Sequence, residues 1–234
     1  MGNQMIIGGI QRFSLIDFPG KMSLIVFTRG CNFRCPYCHN PELVDPTRYV
    51  GALEEEQLWE FLQRRLHKLD AVVITGGEPT LHDGLELFIE KIKTMGFLVK
   101  LDTNGSDPRV LKNLLSENLL DYVAMDIKAP LEKYSEVTRM PVDVKRIEES
   151  ITLIRQSHLD HEFRTTIAKN LLSEDDVLSI AKMLRGEKLY FLQNCVPTKV
   201  LDPHFLAEFV PYTREELQNM AQLAQSYVEK CFVR

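Results

Sequence analysis

The chain has 234 residues, of which 44% are apolar and 26% are charged. These proportions are ordinary for a folded globular protein and exclude an intrinsically disordered chain. The formal net charge is −5 at pH 7, so the protein as a whole presents no positive field for the phosphates of nucleic acids. We therefore predict that it has no nucleic-acid partner.

The apolar runs and the first residues bear on the cellular compartment. No apolar run is long enough to span a bilayer, and residues 1–5 lack the charged-then-apolar order of a secretory signal. We therefore expect a cytoplasmic protein without a membrane partner.

Strand-like and helix-like segments alternate along the chain. Short apolar runs predict strands at residues 21–28, 71–75, 97–103, 122–127, 162–168 and 189–193. Apolar residues at helical spacing predict helices within residues 58–69, 85–95, 110–115, 144–154, 177–184 and 217–227. Capping residues indicate helix starts at Asp107, Ser173 and Thr213.

Strands that alternate with crossover helices predict a parallel sheet covered by helices. About six such units fit the chain, fewer than the eight of a closed (β/α) barrel. We therefore predict an α/β fold with a partial (β/α)6 barrel, and a doubly wound sheet is the alternative. Residues 1–234 are expected to form one domain, with a core at about 21–194 and a C-terminal extension and helix at about 195–234.

Polar clusters follow the carboxyl ends of the predicted strands, where parallel α/β folds bind their ligands. The clusters are residues 31–40, 76–79, 102–105, 126 with 128, and 164–166. Because these strand ends share one rim, we expect the clusters to line a single site.

Three of the five cysteines, Cys31, Cys35 and Cys38, lie close together. In a reducing cytoplasm this grouping indicates metal or redox chemistry rather than a disulfide framework. The other two, Cys195 and Cys231, stand alone, and we expect them to be small buried apolar side chains.

The spacing of the three thiols admits several kinds of site. An iron–sulfur cluster with one open iron fits three thiolate ligands on a short loop. The pair Cys35 and Cys38 also fits thiol–disulfide exchange and, together with His39, c-type haem attachment. All three cysteines with His39 also fit a structural zinc site. Haem attachment lacks the export signal it needs, whereas exchange and zinc leave the polar rim unexplained.

Two motifs together carry a resemblance to a known family. The pattern Cys31-x-x-x-Cys35-x-x-Cys38 with Tyr37, followed by Gly76-Gly77-Glu78-Pro79, resembles the radical S-adenosylmethionine superfamily. Further motifs resemble the glycyl-radical-enzyme activating proteins, and most closely the anaerobic ribonucleoside-triphosphate reductase activating family. These motifs are Phe18-Pro19-Gly20, Cys38-His39-Asn40-Pro41, Asp102-Thr103-Asn104-Gly105 and Asp126-Ile127-Lys128. Unlike several activating proteins, this chain has no cysteine-rich insert for two more clusters.

The resemblance implies roles for the motif residues. Cys31, Cys35 and Cys38 would hold a [4Fe–4S] cluster whose open iron binds S-adenosylmethionine. Glycines would let the backbone approach the cofactor, Glu78 would lie near its ammonium group, and the backbone at Tyr37 would lie near its adenine. For Arg164 a buried ion pair is an equal alternative to a contact with the cofactor or a partner. The implied cofactor-binding residues are Tyr37, Gly76, Gly77, Glu78, Pro79, Asp102, Thr103, Asn104, Asp126, Lys128 and Arg164.

The resemblance also implies an activity and partners. One electron would cleave S-adenosylmethionine, and the resulting radical would take a hydrogen atom from a glycine of a partner enzyme. The partner would be a glycyl radical enzyme, with the anaerobic ribonucleotide reductase large subunit as the first candidate. A flavodoxin- or ferredoxin-type protein would donate the electron, and residues 196–210 are candidate partner contacts. The alternatives are a radical enzyme that acts on a small metabolite, of the carboxy-deazaguanine synthase type, and a thiol oxidoreductase that uses Cys35 and Cys38.

Overall fold

A computed structural model describes residues 5–196 and 198–234 of the chain. These residues form one sheet of eight strands whose spatial order follows the chain order. β1 runs antiparallel to β2, and every later neighbouring pair is parallel. The strands are β1 (Ile7–Ser14), β2 (Ser23–Thr28), β3 (Ala71–Gly76), β4 (Leu98–Thr103), β5 (Tyr122–Asp126), β6 (His161–Ile167), β7 (Tyr190–Asn194) and β8 (Cys231–Val233).

Nine α-helices lie in the part of the chain that the structure describes, and most of them form the crossovers between parallel strands. They are α1 (Pro41–Val44), α2 (Glu55–Gln63), α3 (Leu85–Thr94), α4 (Pro108–Ser116), α5 (Tyr134–Thr138), α6 (Val144–Gln156), α7 (Glu174–Met183), α8 (Pro203–Ala207) and α9 (Arg214–Ala224). Within residues 5–196 and 198–234, none of the helices combines the length and apolarity that crossing a bilayer requires.

The predicted α/β fold with an open, partial barrel is confirmed. The six predicted strands correspond to β2–β7, and the sheet stays open between its edge strands, β1 and β8. Neither edge strand belongs to the predicted set, because β1 begins with Gly8-Gly9 and β8 has only three residues. The predicted helix within residues 58–69 is too long, since α2 ends at Gln63.

Helix starts follow the predicted capping residues. The side chains of Asp107, Ser173 and Thr213 accept hydrogen bonds from backbone N–H groups in the first turns of α4, α7 and α9. Ser173 and Thr213 each belong to a full capping box. The side chain three positions later accepts a hydrogen bond from the backbone N–H of the capping residue. Local sequence therefore fixes where these three crossover helices begin.

The two faces of the sheet differ in chemistry. On β4, Val99 and Leu101 are fully buried in the core beneath the helices. Lys100 and Asp102 point to the opposite, concave face, because successive side chains of a strand alternate between faces. At the amino ends of the strands a small apolar cluster fills this concave face, and it contains Phe18, Ile25, Ala71, Val73 and Tyr122.

Buried ionic groups occupy the middle of the concave face. Lys100 is 2% exposed, and its Nζ donates to the carbonyl of Asp17 at 2.5 Å. The same Nζ lies 3.8 Å from Oε1 of Glu162, which is fully buried. Arg234 donates from Nη1 to this Oε1 at 3.1 Å. The two buried charges thus have opposite charges beside them, as a low-dielectric interior requires.

A half-buried histidine joins the start of β6 to the turn before β7. Nε2 of His161 lies 2.8 Å from Oε2 of Glu187, and Nδ1 lies 2.7 Å from the carbonyl of Leu159. Arg155 donates to the other carboxylate oxygen of Glu187 at 2.5 Å. Burial alone would lower the pKa of His161, but Glu187 and Leu159 outweigh it and raise the pKa above 6.5. Burial would raise the pKa of Glu187, but His161 and Arg155 lower it below 4.5.

We predict that this pair makes stability depend on pH. In mildly acidic buffer, His161→Asn should lower the free energy of unfolding by about 1 kcal/mol. A group whose pKa is raised by folding contributes fully below its unfolded pKa, about 6.5, and the contribution is lost as the pH rises through the folded pKa. The deficit of the variant should therefore shrink above about pH 6.5, which urea unfolding at a series of pH values measures.

Glu187→Gln provides the control for this pH dependence. In the Glu187→Gln background, the deficit caused by His161→Asn should no longer shrink as the pH rises, because the carboxylate that outweighs the effect of burial on the histidine pKa is absent. A deficit that grows toward alkaline pH in the wild-type background would contradict the ion pair.

Candidate functional site

A cavity of about 310 Å³ opens at the carboxyl ends of the strands. Every predicted site residue except Pro79 lines it. The predicted residues in its wall are Cys31, Cys35, Tyr37, Cys38, Gly76, Gly77, Glu78, Asp102, Thr103, Asn104, Asp126, Lys128 and Arg164. Pro79 is buried beside the cavity, where it starts the short turn Pro79–Leu81. The structure therefore brings the predicted polar clusters to one rim.

The three clustered cysteines lie on the loop between β2 and α1 and form one wall of the cavity. The Cys38 N–H donates to the carbonyl of Cys35 at 3.0 Å, which bends the loop. The Arg34 guanidinium donates to the carbonyls of Cys31 and Phe33, at 2.6 and 2.8 Å. These bonds hold the loop backbone, and all three cysteines line the same cavity.

The acidity of the thiols distinguishes between the kinds of site. Burial raises the pKa of Cys31 to about 12 and also raises the pKa values of Cys35 and Cys38. A thiol–disulfide exchanger instead keeps a lowered pKa, so that its nucleophile is a thiolate at neutral pH. A thiol that coordinates a metal loses its proton to the metal, whatever its free pKa. The raised pKa values therefore argue against thiol exchange and are compatible with metal ligation.

Residues 198–210, called the strap below, cross the outer side of the cysteine loop. The Asp202 N–H donates to the carbonyl of Pro36 at 3.1 Å, and the Phe205 ring packs on Tyr37 with centroids 6.3 Å apart. Arg48 donates to the carbonyl of Leu201 at 3.2 Å. The strap makes up most of the segment 196–210, which is predicted to contact a partner. In the structure it packs on the cysteine loop. Position 197 lies outside the described residues.

The paired glycines after β3 are required by the loop's own packing. The Glu78 N–H donates to the carbonyl of Gly30 at 2.8 Å. A Cβ at Gly77 would overlap that carbonyl, and a Cβ at Gly76 would lie 2.5 Å from the Thr28 nitrogen. Gly76 also has a φ of 114°, which side chains disfavour. These residues therefore dock the loop after β3 against the loop after β2, and approach of a ligand stays a prediction.

The Glu78 carboxylate is fully buried and joins two loops. Its Oε1 accepts hydrogen bonds from the hydroxyls of Thr80 and Thr103, at 2.6 and 2.7 Å. Its Oε2 accepts the Asn104 N–H at 2.7 Å. Burial raises the pKa of Glu78, and these donors oppose the rise. The carboxylate thus fixes the loop after β3 to the loop after β4.

Asn104 extends this connection to the cysteine loop. Its Nδ2 donates to Oδ1 of Asn32 at 2.9 Å and lies 3.9 Å from Sγ of Cys31. Its Oδ1 accepts the Ser106 N–H at 2.9 Å, which fixes the orientation of the amide. An N–H group beside a ligating sulfur stabilises the negative charge of the thiolate.

A charged network forms the floor of the cavity. Arg164 donates to Oδ1 of Asp126 at 2.8 Å and to Oδ2 of Asp102 at 3.1 Å, which is the ion pair foreseen as one alternative. Lys128 donates to Oδ2 of Asp126 at 3.0 Å. Burial would raise the pKa of Asp126, but Arg164 and Lys128 lower it to about 2. Burial would lower the pKa of Lys128, but Asp126 raises it well above its ordinary value.

The cavity wall also contains residues outside the predicted set. Gln193 and Asn194 end β7 and line the side opposite the cysteines, and Phe33 lines the cysteine side. The rule that ligands bind beyond the carboxyl ends of parallel strands would have identified Gln193 and Asn194 from the predicted last strand. Phe33 follows no such rule, because its contact with Tyr134 is tertiary.

The residues present fit an iron–sulfur cluster and a zwitterionic cofactor. Three soft sulfur donors share one wall, as a cluster with an open iron requires. On the adjoining floor, Oδ1 of Asp102 is buried and has no hydrogen-bond partner among the described residues. Its nearest cation, Nζ of Lys100, lies 3.6 Å away, beyond ordinary hydrogen-bond distance. This buried oxygen next to the cavity can therefore accept a hydrogen bond from a ligand.

We predict that Gly77→Ala destabilises the metal-free protein by about 2 kcal/mol, because the new methyl group forces the Gly30 carbonyl out of its place. Gly9→Ala is the matched control, since no atom lies within 4 Å of a Cβ built there. Urea unfolding of both variants measures the difference, and equal midpoints would contradict the close contact between the loops.

Comparisons with known proteins agree with this geometry. Residues 25–191 match the radical SAM superfamily. A protein of Methanocaldococcus jannaschii, named as a glycyl-radical enzyme activating enzyme, is 33% identical over 235 residues, 98% of this chain and 95% of the relative. The 7-carboxy-7-deazaguanine synthase of Thermococcus kodakarensis is 25% identical over 222 residues, 87% of this chain and 84% of that protein.

A solved structure supports the fold. A domain of pyruvate-formate lyase-activating enzyme from Bacteroides vulgatus superposes with a TM-score of 0.57 and 16% identity, over 70% of this chain and 99% of that chain. The family match over residues 25–191 by itself shows that the chain belongs to the radical SAM superfamily, whose members use a [4Fe–4S] cluster and S-adenosylmethionine.

Proposed function

We propose that this enzyme installs a glycyl radical on a larger partner enzyme. The observation that carries the proposal is the similarity to the Methanocaldococcus jannaschii relative, which extends over nearly the full length of both chains. The open edge of the sheet supports it as well, because a site that modifies a protein must admit a polypeptide loop, whereas small-molecule sites enclose most of their ligand.

We assign the cluster to Cys31, Cys35 and Cys38. Held by these three residues, the cluster would supply the single electron for reductive cleavage of S-adenosylmethionine, the chemistry that would provide the hydrogen-abstracting radical for the partner's glycine. Arg34 holds the carbonyls of the cysteine loop. Asn104 directs its Nδ2 toward the Cys31 sulfur, where it stabilises the thiolate.

The remaining polar residues are assigned to the cofactor. Its carboxylate and ammonium groups need partners of both signs, and the floor offers Lys128 and Arg164 beside Asp102 and Asp126. Glu78, Thr103 and Asn104 hold the two loops that flank it. Gly76, Gly77 and the backbone at Tyr37 complete its pocket.

The partner is assigned as a glycyl radical enzyme, and the anaerobic ribonucleotide reductase large subunit is the first candidate because the motifs around Asp102 and Asp126 most resemble its activating family. A flavodoxin- or ferredoxin-type protein is assigned as the electron donor, since each turnover consumes one low-potential electron.

A second candidate is an enzyme that acts on a small purine-like metabolite. It rests on the similarity to the Thermococcus kodakarensis protein, which covers most of this chain at lower identity. The two candidates share the cluster and the cofactor, so only the fate of the radical separates them.

We predict that a reduced anaerobic mixture of this protein, S-adenosylmethionine and the glycyl radical protein of the same genome gives an electron paramagnetic resonance doublet. The doublet should require all three components and should collapse when the partner's glycine is deuterated at Cα. Cofactor cleavage that is stimulated by a small metabolite, with no doublet from any partner, would overturn the proposal in favour of the second candidate.

We also predict that Cys35→Ala abolishes cluster binding and cofactor cleavage, because three thiolates are needed to hold the cluster. Cys195→Ala is the control, since Cys195 is 2% exposed and does not line the cavity. Iron content and the visible absorption of anaerobically reconstituted protein report the binding. Full iron content in the Cys35 variant would refute the ligand assignment.

A further inference from the structure

The open edge of β8 carries outward backbone hydrogen-bonding groups that pair with no strand among the described residues, although the Cys231 carbonyl accepts a bond from the Gln225 side chain. On its paired side, β8 receives the Tyr190 N–H at the carbonyl of Lys230 and donates the Arg234 N–H to the carbonyl of Leu192. Because parallel strands bond through alternate residues, the N–H and C=O groups of Cys231 and Val233 face away from β7. No strand pairs with this side among residues 5–196 and 198–234.

A row of carboxamides runs beside this edge. Gln218, Gln222 and Gln225 of α9 line a groove together with β8, and their spacing of three and four residues places them on one side of the helix. Nε2 of Gln225 donates to the carbonyl of Cys231 at 3.2 Å, which shows that these side chains reach the outward backbone groups of β8. Carboxamides both donate and accept hydrogen bonds, as does the backbone of an extended peptide.

The groove and the catalytic cavity share one wall residue. Asn194 lines both, since it ends β7 between the rim and the groove. Its Oδ1 is buried and has no hydrogen-bond partner among the described residues. A buried unpaired amide oxygen at this junction calls for a donor from outside the chain.

We propose that the groove between β8 and α9 binds an extended segment of the partner protein, which adds to the sheet beside β8 and leads the reactive glycine past Asn194 into the cavity. Strand addition gives affinity through main-chain hydrogen bonds and needs little side-chain selectivity. The carboxamides accept backbone of any sequence, and Phe232, which is 49% exposed, offers an apolar contact on the same edge. The proposal rests on the proposed function, because it supplies the docking surface for that partner.

The test uses Val233→Pro with Val233→Ala as its control. Proline removes one outward N–H group and leaves the bonds between β8 and β7 intact, whereas alanine keeps the N–H. The probe is a synthetic peptide that spans the radical-bearing glycine of the partner, and its affinity for cluster-loaded enzyme is measured by calorimetry. Val233→Pro should weaken binding about tenfold, and Val233→Ala should leave it unchanged.

A second pair of variants probes the helix side of the groove. Gln218→Ala combined with Gln222→Ala should weaken peptide binding by a similar factor, while Asn219→Ala, an exposed position outside the groove, should not. Cofactor cleavage without partner should be the same in all variants, because none of these residues lines the catalytic cavity.

The outcomes separate the two proposals. A partner-dependent doublet in the wild type, together with equal peptide binding and equal partner dependence in every variant, overturns the docking surface and leaves the proposed function intact. Failure of every candidate partner to give the doublet with wild-type enzyme overturns the proposed function, and the docking surface with it.

Discussion

The rim depends on one close backbone contact, between the loop after β2 and the loop after β3. The Gly30 carbonyl accepts the Glu78 N–H, and no side chain fits at Gly77 above it. This contact sets the position of Glu78, whose carboxylate then collects donors from Thr103 and Asn104 on the loop after β4. Asn104 in turn reaches Cys31. Three loops that belong to different strands are therefore fixed relative to one another before any cofactor enters.

The charged side chains in the floor of the cavity are likewise held in place before any cofactor enters. Lys128 and Arg164 are paired with Asp102 and Asp126, and Lys100 and Glu162 extend the network. Each charge in it therefore has an opposite charge beside it. The carboxylate and ammonium groups of a methionine moiety carry one charge of each sign, and they can exchange contacts with groups that are already paired. Because the ion pairs already hold the side chains in place, binding requires little reorganisation. This mutual pairing explains why several ionic groups can lie buried on the concave face of the sheet.

Sequence patterns predicted β2–β7, the capped helix starts and nearly all of the cavity wall, because each depends on local periodicity or on the position of a polar cluster at a strand end. They missed β1 and β8, since Gly8-Gly9 and a three-residue strand carry no periodic signal. They also could not show that Gly77 packs against the Gly30 carbonyl, because that neighbour is distant in sequence. The partners of Glu78 and the packing of the strap on Tyr37 are tertiary contacts of the same kind.

The strap and the two edge strands together decide from where a macromolecule can reach the thiols. Strap residues cover the outer side of the cysteine loop through Pro36 and Tyr37, so approach from that side meets packed protein. The apolar cluster around Phe18 and Tyr122 closes the amino ends of the strands. What stays open is the gap between β1 and β8. A closed barrel would satisfy both edges but would leave no lateral entrance, so the unpaired backbone of β8 is a cost in hydrogen bonding that keeps the catalytic cavity accessible to a chain segment.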